Sequence, residues 1–187
     1  MKYFTLAWYR QQHETEEDYR SILDDYTRHL EAIRGVLSDD LLALANLTGV
    51  EDGLIIEARH DREQRRFTLT LRCGDLRMGY YDLVLTYKEA EITQPDEWIL
   101  ARIARRTTDF GDEIASHELD VTPDGRIEHR LLFHPGRWFA IRCRTLQWEK
   151  VNQSNRELPF LPDRFPGGPV TTLYGWKNRS YGRRKLI

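Results

Sequence analysis

Four short runs in the middle of the chain alternate apolar and polar side chains with a period of two. They cover residues 67–73, 81–87, 127–133 and 139–143. A period of two is typical of β-strands that bury one face, because successive side chains point to opposite sides of the sheet. Asp124-Gly125 precedes the third run and favours a hairpin there, and Pro135-Gly136 marks a turn before the fourth. Further strands are predicted at 54–56 and 146–151.

The first fifty residues carry a different pattern, with apolar side chains spaced mostly three and four apart. This spacing places them along one stripe of an amphipathic helix, and Gly35 suits the C-terminal end of that helix. The stripe consists of Tyr19, Ile22, Leu23, Tyr26, Leu30 and Ile33. Ser38 is suited to cap a second helix, which Gly49 would end. We therefore predict a pair of helices within residues 15–49.

Helices followed by a run of antiparallel strands define the α+β class. We predict an N-terminal helical pair packed on a largely antiparallel β-sheet, in a single domain at 1–157. Its helical part is predicted at 15–49 and its strand-rich part at 53–151. Residues 158–187 hold four of the seven prolines and a pair of glycines. We predict that they form an ordered, basic C-terminal arm.

The length of the apolar runs and the number of cysteines indicate the compartment in which the protein acts. No apolar run approaches the ~18 residues that a membrane span needs, so we expect no membrane partner. The chain has two cysteines, Cys73 and Cys143, which are too few for a disulfide framework or a metal quartet. This favours a cytoplasmic protein. Both cysteines fall on the apolar phase of predicted strands and are expected to be small buried hydrophobes rather than nucleophiles.

Charge is distributed unevenly along the chain. Residues 1–58 hold 12 acidic and 5 basic side chains, whereas residues 158–187 hold 1 and 6. Acidic side chains of the predicted helices form a candidate partner-binding surface, made of Glu16, Glu17, Asp18, Asp24, Asp25, Asp39 and Asp40. Such a surface would steer a basic partner onto the chain. The alternative interpretation is an ordinary solvated helix face.

Basic side chains of the predicted arm form a second candidate surface, made of Lys177, Arg179, Arg183, Arg184 and Lys185. Aromatic side chains interleave with them, a mixture typical of nucleic-acid contacts. The net charge of −2 and the pI of about 6.3 disfavour nucleic acid as a partner. The arm could instead join two copies of the chain in a homo-oligomer.

No nucleophile elbow, phosphate-binding glycine loop or paired metal-binding histidine motif occurs in the sequence. The region with the most potential for acid–base chemistry holds His117, His129 and His134 beside several acidic side chains. His129 lies on the apolar phase of a predicted strand and is expected to be structural. A metal site needs three convergent ligands, so we predict neither a metal nor a cofactor. This absence of motifs favours a protein without catalysis.

Three segments carry a resemblance to known proteins. They are the opening Met-Lys-Tyr-Phe-Thr-x-x-Trp-Tyr, the segment Gly79-Tyr80-Tyr81-Asp82-Leu83 with Leu85-Thr86-Tyr87, and Trp98 followed later by residues 125–133. Together they resemble an uncharacterised bacterial family of small α+β proteins, a domain of unknown function, over roughly residues 1–150. The resemblance implies a bacterial protein of this fold class and brings no functional residues. In type, the chain is also similar to the immunity proteins of bacterial toxin systems.

These features lead to one predicted function with three alternatives. The leading prediction is a non-catalytic protein-binding protein, in the form of an immunity-type inhibitor that covers the active site of a basic toxin enzyme. The first alternative is a hydrolase, with or without a metal, that uses the region of His117, His129 and His134. The others are a nucleic-acid binder and a homo-oligomer, each acting through the arm.

Overall fold

The computed structural model describes residues 1–11, 16–47, 49–75, 79–94, 113–134 and 136–152. All of them lie within one compact unit, Met1–Glu157. The helices are α1 (Leu6–Gln11), α2 (Glu16–Ile33) and α3 (Asp39–Ala45). The strands are β1 (Leu54–Asp61), β2 (Arg66–Asp75), β3 (Gly79–Lys88), β4 (Glu91–Gln94), β5 (Ile114–Val121), β6 (Ile127–Phe133), β7 (Trp138–Cys143) and β8 (Thr145–Asn152). The α+β class predicted from the sequence is confirmed. The domain limits stay a prediction, and the predicted arm at 158–187 lies outside the described residues.

The strands form two four-stranded sheets rather than the single sheet expected. One sheet has the order β1-β2-β3-β8 and the other β4-β7-β6-β5, and every pairing among the described strands is antiparallel. The sheets divide where β3 passes into β4 and β7 passes into β8. Glu89 has a positive φ of 52° at the first of these corners, and the Arg144 amide donates to the Lys88 carbonyl across them at 3.1 Å. Two long paired segments therefore bend from one sheet into the other.

The main core lies between the two sheets. Leu69, Leu71, Leu83 and Leu85 of β2 and β3 are fully buried, as the alternation of these strands predicts. Across the core, the Phe67 ring of β2 meets the Phe139 ring of β7 with centroids 6.4 Å apart. Each fully buried side chain of this size contributes about 1.5–3 kcal/mol to folding.

Helices α2 and α3 pack against β5, at the edge of the second sheet, and α3 also packs against β8, at the edge of the first. The α2 stripe buries Tyr26 and Leu30, and the Leu119 amide of β5 donates to the Tyr26 hydroxyl at 2.7 Å. Ser38 caps α3, since its hydroxyl accepts from the Leu41 amide at 3.3 Å. The predicted helical pair is thus present as α2 and α3, and α1 is an additional helix that the sequence did not indicate. Within the described part of the chain, no helix combines the length and apolar character needed to cross a membrane.

Strand β5 was also missed from the sequence, because residues 114–119 are buried on both faces and show no alternation. The face of β5 that points away from the core between the sheets carries Glu118, which is fully buried. The Glu118 carboxylate accepts hydrogen bonds from the main-chain amides of Lys2, Tyr3 and Phe4, at 2.6 to 3.0 Å. These bonds hold the N-terminal segment against β5 and set the position of α1, which follows directly.

Candidate metal centre

Three separate parts of the chain meet beside the first residues of β1 and β5. They are the turn before β1, the start of β5 and the turn after β6. The Asp52 amide donates to the Ile114 carbonyl at 2.7 Å, and the Ile114 amide donates to the Gly53 carbonyl at 2.9 Å. The His134 amide donates to the Glu113 carbonyl at 3.1 Å. Main-chain hydrogen bonds therefore fix the backbone positions of Asp52, Glu113 and His134, from which the side chains extend.

These three side chains converge. One carboxylate oxygen each from Asp52 and Glu113 and one ring nitrogen of His134 all lie within 4.8 Å of one another. His134 Nε2 is 3.9 Å from Asp52 Oδ1. The Asp52 side chain is half exposed and the His134 side chain is 15% exposed, so the cluster is partly shielded but open to solvent on one side.

The His134 ring is held from its other side by α1. The Tyr9 hydroxyl is hydrogen-bonded to His134 Nδ1, and the two rings meet edge to face with centroids 5.1 Å apart. The positions of the heavy atoms allow either group to donate. If Nδ1–H donates to the Tyr9 oxygen, Nε2 keeps its lone pair on the side that faces Asp52. This is the tautomer in which His134 can act as a metal ligand.

Two carboxylate oxygens and one imidazole nitrogen form a donor set that suits a divalent first-row metal ion. Donors around a tetrahedral Zn²⁺ lie ~2.0–2.1 Å from the ion and hence roughly 3.4 Å apart. The 3.9 Å between His134 and Asp52 is close to that spacing. The neighbouring Glu51 carboxyl has a pKa raised by desolvation and, secondly, by repulsion from Asp52. His134 opposes this shift, so both Asp52 and His134 act electrostatically on Glu51.

His117 and His129 are in a different place, inside the core between the sheets. His117 Nδ1 lies 3.2 Å from His129 Nε2, and His129 Nδ1 lies 2.8 Å from the Tyr87 hydroxyl. Burial lowers the pKa of His117 to about 4. Burial, and then the proximity of His117, lower the pKa of His129 well below its ordinary value. Both rings are thus neutral at pH 7, and the structure joins them to each other rather than to His134.

The cysteines behave as the sequence predicts. Cys73 and Cys143 are both free and buried. Burial raises the pKa of each thiol to about 12, and a nucleophilic cysteine requires the opposite shift. Neither thiol is therefore suited to catalysis.

The predicted acidic surface is on the outside of α2 and α3, but it is not uniformly acidic. Side chains of Glu17, Asp18, Asp24, Asp39 and Asp40 are exposed, whereas the side chain of Glu16 lies outside what the structure describes. Asp25 forms an ion pair with Arg28. Arg20 and Arg28 lie on the same face of α2 as Glu17 and Asp24. The basic candidates Lys177, Arg179, Arg183, Arg184 and Lys185 lie outside the described residues.

Sequence reasoning found one member of the convergent cluster, His134, and missed Asp52, Glu113 and Tyr9. Nothing in the spacing of these residues marks them, since they come from two turns, the start of β5 and a six-residue helix. One local signal was present in Glu51-Asp52-Gly53, a polar turn just before a predicted strand. Asp52 occupies it with a φ of 63°, in the left-handed region that Asp tolerates better than most side chains.

Comparisons with known proteins identified no relative of this chain. No protein-family model matches the chain, and searches of the curated proteins and of the solved structures found no match. The resemblance to a bacterial domain of unknown function therefore stays a prediction, and the site is interpreted from its own geometry.

Proposed function

We propose that the chain binds one divalent transition-metal ion through Asp52, Glu113 and His134. The observation that carries this proposal is the convergence of three ligand atoms within 4.8 Å from three segments that main-chain hydrogen bonds lock together. A ligand set of this kind loses little conformational freedom when the ion binds. The proposal departs from the prediction of a chain without a metal, which was made because a metal site needs three convergent ligands.

The donor set favours a metal centre with an open coordination position. Structural zinc sites are closed by four protein ligands, whereas catalytic sites have three protein ligands and a water molecule. Among the residues that the structure describes, three protein donors converge, and the half-exposed Asp52 side chain leaves solvent access. This supports the hydrolase alternative in a narrower form, in which His134 belongs to the centre and His117 and His129 do not. Metal-assisted hydrolysis is the reaction class that such a centre serves.

The test is a titration of the metal-free protein with Zn²⁺ by isothermal calorimetry, and with Co²⁺ by visible absorption. We expect one ion per chain, and we expect His134→Gln and Glu113→Gln each to weaken binding at least about 100-fold, the upper end of what the loss of a group that merely orients a ligand costs. His60→Gln and Glu63→Gln are matched controls, because both residues are exposed at the β1–β2 hairpin, and they should bind normally. Binding that is absent from the wild type, or unchanged in His134→Gln, would overturn the proposal.

Protein binding through the acidic surface is a second proposal. Its support is the exposure of the acidic side chains of Glu17, Asp18, Asp24, Asp39 and Asp40. The arginines on the same face of α2 act against it, because they reduce the net negative charge that would steer a basic partner. An affinity pull-down with and without nuclease treatment tests it. A stoichiometric protein that survives nuclease, and whose association slows when Asp24, Asp39 and Asp40 are changed to lysine, supports the inhibitor form. Recovery of no protein argues against it.

A further inference from the structure

We propose that Tyr9 is a positioning residue for the metal centre, so that metal binding and the docking of α1 stabilise each other. This inference rests on the proposed function, since it concerns how the same centre is regulated. The Tyr9 hydroxyl is bonded to the ring nitrogen of His134 that faces away from Asp52. When the Tyr9 oxygen accepts from Nδ1–H, the docked helix stabilises the tautomer whose lone pair is on Nε2.

Helix α1 docks directly on the turn that carries His134. At Gly136, two residues beyond His134, an added Cβ would lie 2.2 Å from Leu6 Cδ1, which shows how closely the helix approaches. Trp8 of the same helix packs its ring against Phe4, with the ring centroids 4.8 Å apart. The backbone just before the helix is held by Glu118. Tyr9 therefore contacts His134 from a segment that other contacts already hold in place.

The coupling follows from the tautomers of His134. A metal ion at Nε2 requires the proton to be on Nδ1, where it can be donated to the Tyr9 oxygen. Without that acceptor the Nδ1 proton of this largely buried ring loses its partner, and the ligating tautomer becomes less favourable. Partners that orient a metal-binding histidine in this way typically change metal affinity by about 10–100-fold when they are removed. Linkage is reciprocal, so a bound ion must in turn strengthen the docking of α1.

Two measurements on the full chain test the inference. The first is the dissociation constant of Zn²⁺ for Tyr9→Phe, which keeps the ring and removes the hydroxyl. We expect it to rise about 10–100-fold. Tyr3→Phe is the matched control, because the Tyr3 ring contacts Tyr26 and His29 rather than the metal centre, and its dissociation constant should be unchanged.

The second measurement uses the wild type, so it does not depend on the folding of a variant. The Tyr9 amide donates to the Thr5 carbonyl at 2.9 Å, and its hydrogen exchange reports the opening of α1. Zn²⁺ should slow this exchange in the wild type and leave it unchanged in Tyr9→Phe.

The outcomes separate this inference from the proposed function. If the wild type binds Zn²⁺ through His134, but Tyr9→Phe binds equally well and exchange in α1 does not respond, the metal site stands and the coupling is wrong. If the wild type binds no Zn²⁺, both proposals fail. Weaker binding in Tyr9→Phe together with slower exchange in the zinc-bound wild type supports the coupling.

Discussion

His129 and His134 are five residues apart, yet they lie in opposite physical environments. His129 is on β6 and is 1% exposed, between His117 and the Tyr87 hydroxyl. His134 follows the last residue of β6, where its ring reaches Asp52 and Tyr9. One imidazole is kept neutral in an apolar core, and the other is beside carboxylates at the surface. Proximity in sequence therefore says little about which histidine can carry chemistry.

The difference comes from what each site must satisfy. In the core, each buried ring nitrogen needs a hydrogen-bond partner, because an unpaired polar group there costs about 1–3 kcal/mol. The contacts among Tyr87, His129 and His117 provide such partners and leave the pair sealed from solvent. At the surface cluster, the Asp52 and Glu113 carboxylates come together near a single imidazole. That arrangement is favourable for a cation, and the described part of the core holds no equivalent cluster.

The largest expected effect is on the free energy of unfolding, and it should be much larger for substitution of His129 than for substitution of His134. His129→Ala removes a core side chain and leaves the Tyr87 hydroxyl and His117 Nδ1 without their partner, so we expect a loss of about 3–4 kcal/mol. His134→Ala, without metal, should cost less than about 1 kcal/mol. Urea unfolding at pH 7 measures both. Equal losses would show that the two sites do not differ as described.

The pH dependence of stability should come from the core pair. The unfolded chain binds a proton at His117 below about pH 6.5, whereas the folded protein does so only near its pKa of about 4. The free energy of unfolding therefore falls as the pH is lowered through this window and does not change with this group above it. We expect the slope in His117→Gln to be smaller by about 1 kcal/mol per pH unit between pH 5 and 6.

Urea unfolding across pH 5–7.5 provides this slope, and His60→Gln, at an exposed histidine, is the control that should keep the wild-type value. An unchanged slope in His117→Gln would mean that the core pair does not titrate as proposed.

A further effect on stability should come from the metal and should depend on the other histidine. Zinc at 100 times its dissociation constant stabilises the folded state by about 2.7 kcal/mol if only that state binds it. We expect this gain in the wild type and at most about 0.4 kcal/mol in His134→Gln at the same zinc concentration. Thermal unfolding with and without zinc measures it. A gain of wild-type size in His134→Gln would place the ion elsewhere.

Local patterns predicted the parts of the fold that have one buried face. The alternation at 67–73 and 81–87 corresponds to β2 and β3, and the stripe of Tyr26 and Leu30 corresponds to α2. Strand β5 escaped prediction because it is buried on both faces. Helix α1 escaped because six residues are too few for a period to show.

The candidate site depends on contacts that no local pattern contains. Asp52, Glu113 and His134 meet only because the starts of β1 and β5 and the turn after β6 are joined by main-chain hydrogen bonds. Those bonds follow from the pairing of strands far apart in the chain. The sequence could indicate that His134 is polar and follows a strand, and it could not indicate which carboxylates would face it.

The most direct test of this account is a ¹⁵N spectrum of the histidine side chains during a zinc titration of the full chain. The chain has six histidines, and substitution of each in turn assigns their signals. The account predicts that zinc moves the Nε2 signal of His134 and leaves the signals of His117 and His129 in place. Zinc-dependent shifts at His117 or His129, or none at His134, would contradict it.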